Sequence, residues 1–582
     1  MAVILGINAF HADSAACLVV DGVLQSAISE ERLGERLKHS PRFPENAIRR
    51  VIKISGISLE DITHVAIARA ARSNRLAKAA YVLRNPIKSA GAVVEHLQRN
   101  VKTKNMIERL AEICDIDPDR AHFETVNIEH HLAHIASAYY LSPFDSITAG
   151  FSYDASGDFV SLMAARCEGN RIEIIDRVHL PHSLGFFYTA LCQFIGFDEY
   201  GEEYKVMGLA PYGEDNYHEL MNELIRSESN GWFKLNTRFF GMHEGGESGA
   251  LDGNNRIIMG RLYTKLLEKR LGKPRNRKNP IEKREMDIAK SCQIRFEDVA
   301  IHCLNHLHQE IPTEKLVMAG GCSLNGVTNA RILRDTPFAN QYIQCAASDD
   351  GTCIGAAYYC WHHILGQNKR FQMTHPFWGP EYSESHLKKV AESCGLPLEY
   401  YDDESLLDKV VDYLVKGMVV GWYQGRSEWG PRALGNRSIL ANPMLPDMKD
   451  TINSKIKRRE SFRPFAPSVL KEYVGEYFEQ NVESPFMMHV VKIRPEWRSK
   501  LQAVTHVDGT GRLQSVKRQE NARYYDLIET FRRKTGVGVL LNTSFNENEP
   551  IVDTPEQAMD CFLRTDMDVL CLGNFVINKN DI

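Results

Sequence analysis

Val3, Ile4 and Ile7 make Ala2 to Asn8 a short, largely apolar run, the pattern of a buried strand. A polar turn with His11, Asp13 and Ser14 follows, then a second predicted strand from Ala15 to Val20. Asp21-Gly22 is a strong hairpin signal, and Val23 to Ser29 reads as the third strand. The layout returns further along. Ser146 to Tyr153 is strand-like, Asp154, Ser156, Gly157 and Asp158 form a predicted turn, and Phe159 to Arg166 is a strand. Glu168-Gly169-Asn170 then turns the chain into Arg171 to Val178. Two copies of strand, polar turn, strand, tight hairpin and strand read as an internal duplication.

Between the copies lies Glu129 to Tyr140, EHHLAHIASAYY, whose Ala content and spacing of Leu132, Ile135, Ala136 and Tyr139 predict a helix with one apolar face. His130 and His134 stand four apart, so a helix brings both imidazoles to one side, close enough to share a metal. His131 is held in reserve, three residues from His134. Spacing alone favours solvated or hydrogen-bonded histidines over ligands. Duplicated three-stranded units with intervening helices resemble the fold shared by actin, sugar kinases and a class of heat-shock chaperones. In such a two-lobed cleft, His11, Asp13, Asp154 and Asp158 would converge; in plain hairpins they are merely good turn formers.

Glycine-rich signals lie between residues 183 and 356. SLGFFY (Ser183 to Tyr188) and KVMGLAPYG (Lys205 to Gly213) read as loop-to-helix transitions, and Leu316 to Gly326 as strand, Gly320-Gly321 turn and helix start. Glycines allow close backbone approach to a phosphate, and a helix N-terminus favours anions. Lys205, Gly208, Gly320, Gly321 and Asn325 are therefore candidate nucleotide contacts of the first half. No Walker A pattern occurs. Ala347 to Gly351 is a last acidic turn, carrying Asp349, before a Gly/Ala helix from Ile354 to Tyr359. The basic, proline-interrupted stretch from Lys265 to Glu285 reads as a solvated loop, with acceptor or phosphate recognition as the lesser alternative.

Beyond a polar stretch from Gln367 to Tyr382, Val419 to Tyr423 is a predicted strand, followed by Gln424 to Arg437, which packs Arg426, Arg432 and Arg437 among glycines. Arginines in a tight glycine loop suit bidentate binding of phosphate oxygens. Trp422, Trp429 and Leu434 in the same segment speak against a merely solvated face. A basic helix from Lys449 to Arg459 comes next, then Ser461 to Pro467.

Composition adds exclusions. The 582 residues are 43% hydrophobic and 25% charged, as in ordinary globular proteins, and provide for two or more domains. A net charge of −5 gives no argument for nucleic acid or membrane binding. Thirteen cysteines contain no Cys-x-x-Cys pair, so zinc ribbons and thioredoxin-like motifs are excluded. No run reaches 18 apolar residues, and the N-terminus lacks a basic start; a cytoplasmic enzyme is expected.

FHADSAA, EER at Glu30 to Arg32, HHLAHIASAYY, SLGFFY, KVMGLAPYG, the AGG-x-x-LN pattern and ASDDG, with GRSEWGPRALGNRS, FRPFAP and LNTSFN in the second half, together resemble the ATP-dependent O-carbamoyltransferases of nodulation-factor and antibiotic biosynthesis. The resemblance spans essentially the whole chain. It implies an α/β protein: an actin-like, two-lobed domain over 1–366, a linker over 367–382 and a YrdC-like domain over 383–582. It implies metal ligands at His130, His134, Asp154 and Asp349, where iron or a similar first-row cation is expected, and a catalytic base at His11. One antibiotic-modifying member has HDAS where this chain has HADS, which displaces the acidic residue, Asp13, by one position.

In the second domain the resemblance singles out Arg432, Lys457, Arg463 and Arg512 for phosphate, and Asn542 and Ser544 for nucleotide. His506 and Asp508 lie near this set in sequence. The implied reaction uses ATP, with Mg, and carbamoyl phosphate to make a carbamoyl-adenylate. The carbamoyl group then passes to a hydroxyl of a small-molecule acceptor. No nucleic-acid or membrane partner is expected, and the chain is read as a monomer or homodimer. Acceptor contacts are expected from Ala70 to Lys104 or Phe239 to Asn255. The rival readings are a threonylcarbamoyl-type tRNA-modifying transferase and a small-molecule kinase of the actin-like fold.

Overall fold

The computed structural model describes residues 1–9, 11–84, 106–241, 250–251 and 256–579; the two stretches expected to contact the acceptor fall partly outside them. The chain divides into two compact units, Met1–Met373 and Thr374–Ile582. No helix among the described residues is long and apolar enough to cross a membrane.

The first unit contains the same sheet twice. Strands β1 (Val3–Asn8), β2 (Ala15–Val20) and β3 (Val23–Ser29) form an antiparallel meander, and β4 (His64–Ile67) and β5 (Glu124–Asn127) add parallel strands, in the order β3-β2-β1-β4-β5. Strands β6 (Thr148–Gly157), β7 (Val160–Glu168) and β8 (Arg171–His179) repeat the meander. Then β9 (Lys315–Ala319) and β10 (Asn340–Ile343) add the parallel pair, giving β8-β7-β6-β9-β10. Two sheets of identical strand order make this unit actin-like. Leu5, Ile7 and Leu18 of the first sheet pack on Ile48 and Val51 of helix α1 (Glu45–Ser55), all fully buried or nearly so. Each such side chain contributes about 1.5–3 kcal/mol on leaving water.

The turn predicted from Asp154 onward lies later: β6 runs through Asp154 to Gly157, its register with β7 slipping between Tyr153 and Gly157. The chain reverses at Asp158 and Phe159, both with positive φ. The irregularity carries Asp154 out of the regular ladder while keeping it on a strand.

Helix α2 (His130–Tyr139) is buried on every side rather than along one face. Its alanines explain this, because α5 (Thr352–Tyr359) crosses it so closely that a Cβ added at Gly355 would lie 1.8 Å from the Ala133 carbonyl oxygen. Small residues at such a crossing let two backbones approach. Between these elements lie the long helix α3 (Lys283–Glu310) and helix α4 (Gly326–Asp335).

The basic stretch from Lys265 to Glu285 is not simply solvated. Arg275 is buried, donating to the carbonyls of Ile195, Gly196 and Asn279, and Arg277 pairs with Glu202. These arginines fasten the 195–202 loop, a task that charge patterning alone does not reveal.

The second unit holds one nine-stranded mixed sheet. In chain order its strands are β11 (Glu399–Tyr400), β12 (Val420–Tyr423), β13 (Arg437–Ala441), β14 (Ala466–Leu470), β15 (His489–Lys492), β16 (Thr510–Val516), β17 (Val539–Ser544), β18 (Val569–Leu572) and β19 (Phe575–Asn578). They lie in the order β11-β19-β18-β12-β13-β17-β14-β16-β15. Helices α6 (Asp403–Val415) and α7 (Ala522–Thr535) cover one face through Val410, Leu414, Leu527 and Phe531 against Trp422 and Leu440. The predicted helix from Lys449 to Arg459 is broken, with a single α turn followed by a π-helical turn, Ile452–Lys457, and Arg458 at a φ of 42°.

Candidate functional site

In the first unit, His130, His134, Asp154 and Asp349 each offer a ligand atom, all within 4.8 Å of one another. They arrive from α2, the irregularity in β6 and the turn preceding α5. The Nε2 atoms of His130 and His134 lie 3.0 Å apart; Asp349 Oδ1 is 3.2 Å from the first and 3.4 Å from the second, and Asp154 Oδ2 is 3.5 Å from His134 Nε2. Two imidazole Nε2 atoms facing one point, with carboxylate oxygens around it, are set to exchange a proton for a cation. Ligands bonded at about 2.1 Å and at right angles to one another are spaced by about 3 Å, so the set fits a first-row divalent metal with positions left open.

Backbone and glycine geometry hold these side chains. Asp158 Oδ2 accepts from His130 N (3.0 Å) and Ala70 N (2.8 Å), so the reversed turn caps the start of α2. Gly157 leaves room for the ligand, since a Cβ there would lie 2.0 Å from His130 Cδ2. Asp154 is held from both sides: Oδ2 accepts from Gly321 N (2.5 Å) and Oδ1 from Ala155 N (2.6 Å). Gly320, at φ 96°, brings this turn so close that a Cβ would meet the Tyr153 carbonyl oxygen at 2.3 Å. His131 belongs to the structure, its Nε2 meeting the Val160 carbonyl (2.9 Å) and its Nδ1 the Ser152 hydroxyl (2.8 Å).

The protein's own charges alternate in this cluster. Burial pushes the His130 imidazole down, but Asp349 and Asp154 outweigh it and hold the group up at about 9. Burial, together with the charge on His130, pushes His134 down to about 4. Burial and the neighbouring Asp349 raise Asp154 to about 6, whereas His11 and His130 hold Asp349 well below the carboxylate range against its burial. His11 lies beside the cluster with Nδ1 against Asp349 Oδ2, and its side chain is 31% exposed.

A second group adjoins the first. His39 Nδ1 meets Asp13 Oδ1 at 2.7 Å, Ser348 donates to Asp13 Oδ2 (2.8 Å), and His39 N donates to Glu31 (3.0 Å). Asp13 therefore ties His39 to the loop carrying Asp349. Sequence reasoning passed over His39, which has no motif around it.

Of the candidate nucleotide contacts in this unit, Gly320 and Gly321 stand at Asp154, and Gly208 is on the short helix Tyr204–Leu209. Lys205 pairs with Glu202 at 2.6 Å. Asn325 caps α4 through Thr328 N (3.2 Å) and exchanges hydrogen bonds with Gln293 of α3.

In the second unit the polar face is cationic. Thr510, Arg512 and Gln514 alternate along β16 and so share a face. Burial pushes the Arg512 guanidinium well below its usual range, and the charges that add to this are Arg432, Arg459 and Arg463. Arg459 was not among the expected residues. Glu428, in the arginine loop, accepts from the N–H groups of Leu434, Asn436 and Arg437 through one oxygen, at 2.8, 2.8 and 3.1 Å. Lys457 is held by the Ser544 and Asn546 carbonyls (2.5 and 2.7 Å), which ties the π-helical turn to the LNTSFN loop. Asn542 donates to Gln514 Oε1 (2.9 Å) and the Ala433 carbonyl (3.2 Å). Ser544 donates to Asn546 (2.8 Å).

Residues 3–358 match the family model described as carbamoyltransferase N-terminus, and residues 411–579 the one described as carbamoyltransferase C-terminus. An uncharacterized protein of Synechocystis is 39% identical, covering 99% of this chain and 96% of its own. Nodulation protein NolNO of Sinorhizobium fredii is 36% identical over 98% of this chain and 80% of its own. The 3'-hydroxymethylcephem-O-carbamoyltransferase of Amycolatopsis lactamdurans is 36% identical over 41% of this chain and 44% of its own.

Proposed function

The chain belongs to the carbamoyltransferase family, and from that premise we propose that it is an ATP- and carbamoyl-phosphate-dependent O-carbamoyltransferase acting on a small hydroxyl compound. The observation that carries this reading is the division of charge. One unit gathers two imidazoles and two carboxylates beside a further histidine, and the other gathers arginines that act on one another.

In the second unit, a YrdC-like module in this reading, Arg432, Lys457, Arg463 and Arg512 hold the phosphates of ATP and carbamoyl phosphate, with Asn542 and Ser544 toward the nucleotide. Water releases orthophosphate from carbamoyl phosphate, and a carbamate oxygen displaces pyrophosphate from the α-phosphorus of ATP, giving carbamoyl-adenylate. Positive charge fixed in advance at these oxygens stabilises the charge shift. In the first unit, Gly320 and Gly321, with Gly208, Lys205 and Asn325, frame the adenylate. His11 takes the proton of the acceptor hydroxyl as its oxygen attacks the carbamoyl carbon and AMP leaves. A divalent iron held by His130, His134, Asp154 and Asp349 would supply Lewis-acid polarisation of the carbamoyl oxygen.

The test is incubation with carbamoyl phosphate, ATP and a panel of hydroxyl compounds, followed by mass spectrometry. Gain of one carbamoyl group with release of AMP and pyrophosphate is expected. ADP as the product would replace this reading with a kinase.

A further inference from the structure

We infer that His506 is the carbamoyl-recognition residue of the second unit, its Nε2 lone pair accepting an N–H of the amino group of carbamoyl phosphate. This rests on the function proposed above and adds to it the group that distinguishes carbamoyl phosphate from other acyl phosphates.

A hydrogen-bond chain fixes the tautomer of His506. The Thr510 hydroxyl lies 2.7 Å from Asp508 Oδ1 and 3.0 Å from His506 Nδ1. A carboxylate oxygen only accepts, so Thr510 spends its one proton there and accepts from His506 in turn. Nδ1 therefore carries the ring proton, and Nε2 is left with a lone pair. That atom is completely enclosed and has no hydrogen-bond partner among the described residues. The ring is fixed by its own backbone as well: His506 N donates to the Thr510 carbonyl (2.8 Å), and Gly509 N donates back to the His506 carbonyl (2.9 Å).

The location follows from strand periodicity. Thr510 and Arg512 are two apart on β16, so the imidazole held by Thr510 lies on the face from which Arg512 projects. Arg512 and Lys449 both act on the His506 charge. A phosphate oxygen drawn there by the cations cannot satisfy Nε2, because an acceptor does not bond to an acceptor. The missing partner is a donor attached close to an anionic group. Carbamoyl phosphate has that form, with an NH2 on the carbon that bears the phosphate. At the other end of the face, Gln514 leads to Asn542.

The experiment measures carbamoyl-phosphate-dependent release of pyrophosphate from ATP, with acetyl phosphate, which has methyl in place of NH2, as competitor. His506→Phe keeps the ring and removes the acceptor. It should raise the KM for carbamoyl phosphate by about tenfold, the usual worth of one hydrogen bond to a buried group. The KM for ATP and inhibition by acetyl phosphate should stay within about twofold of the starting enzyme. His506→Gln, which returns an amide oxygen, should recover much of the loss. Should His506→Phe unfold, Thr510→Val, which frees the imidazole tautomer, is expected to give about a threefold rise in the same KM. Parallel loss of affinity for both acyl phosphates, a rise in the ATP KM instead, or no change would overturn the inference. Absence of pyrophosphate release by the unaltered enzyme would overturn the proposed function itself, and this inference with it.

Discussion

In the first unit Asp349 lies between His11 and His130, with Asp154 beyond His134, so each charge has an opposite neighbour. In the second unit the charges bearing on Arg512 are Arg432, Arg459 and Arg463. The first arrangement is nearly neutral by itself and is specific about geometry, with four donor atoms gathered within 4.8 Å. The second sets Arg512 among like charges, with Arg463 also 3.7 Å from Glu460, and is specific about charge, because an anion relieves the repulsion. Like charges held close together in a half-buried place destabilise the fold that holds them. Substitutions should therefore trade stability against activity in opposite senses at the two places.

Arg512→Met should have the largest effect. Removing this cation is expected to lower carbamoyl-phosphate-dependent pyrophosphate release by at least about a thousandfold, as loss of preorganised charge at a phosphoryl site does. The same change should stabilise the fold by about 1–2 kcal/mol through relief of like-charge repulsion, readable in a urea titration. Full activity, or a marked loss of stability, would show that the two regions do not differ as described.

His130→Ala reverses the balance. Elemental analysis should find the bound metal lost, and carbamoyl transfer should fall by about a hundredfold or more, while pyrophosphate release persists. It also leaves Asp349 and Asp154 facing each other with less positive charge, so the fold should lose about 1–3 kcal/mol. Loss of pyrophosphate release with metal intact would mean that the two half-reactions are not divided between the units.

Smaller effects separate ligands from their supports. Gly157→Ala places a methyl where the structure has 2.0 Å to the His130 ring. Displacement of one ligand predicts about a tenfold loss of metal affinity, with about 1–3 kcal/mol of strain. His131→Ala should cost about 2 kcal/mol, because it strands Ser152 and the Val160 carbonyl, yet leave metal content unchanged.

These supports mark where the sequence was legible and where it was not. Asp21-Gly22 and the Glu168-Gly169-Asn170 turn act over a few residues, so β2 and β3 run over the predicted spans, Ala15–Val20 and Val23–Ser29. The i, i+4 rule puts His130 and His134 on one side of a helix, but it could not say that His131 would turn to Ser152 and Val160, which come from strands yet to follow. Asp158 read as a turn former because its second task, capping a helix 28 residues earlier, depends on how the sheet folds back. Arg275 and Arg277 read as solvated for the same reason, since their partners lie about 80 residues away in the chain. Local signals were readable; partners supplied by tertiary folding were not.

The smallest expected effect is a pH dependence of stability that arises at His506. Burial, with Arg512 and Lys449 nearby, pushes this imidazole down to about 4 despite Asp508. In the unfolded chain it titrates near its ordinary value of about 6.5. Below that value the unfolded state binds a proton that the folded state refuses, so the contribution to stability is present at neutral pH and lost as pH falls toward about 4. Urea titrations at pH 7 and pH 5 should differ by about 1–2 kcal/mol less in His506→Phe than in the unaltered protein. Over the same interval the KM for carbamoyl phosphate should stay level, because the Nε2 lone pair remains free of a proton. A KM that climbs with a midpoint near pH 6.5 would mean that the ring is protonated like any solvated histidine, and that the cationic face does not hold it neutral.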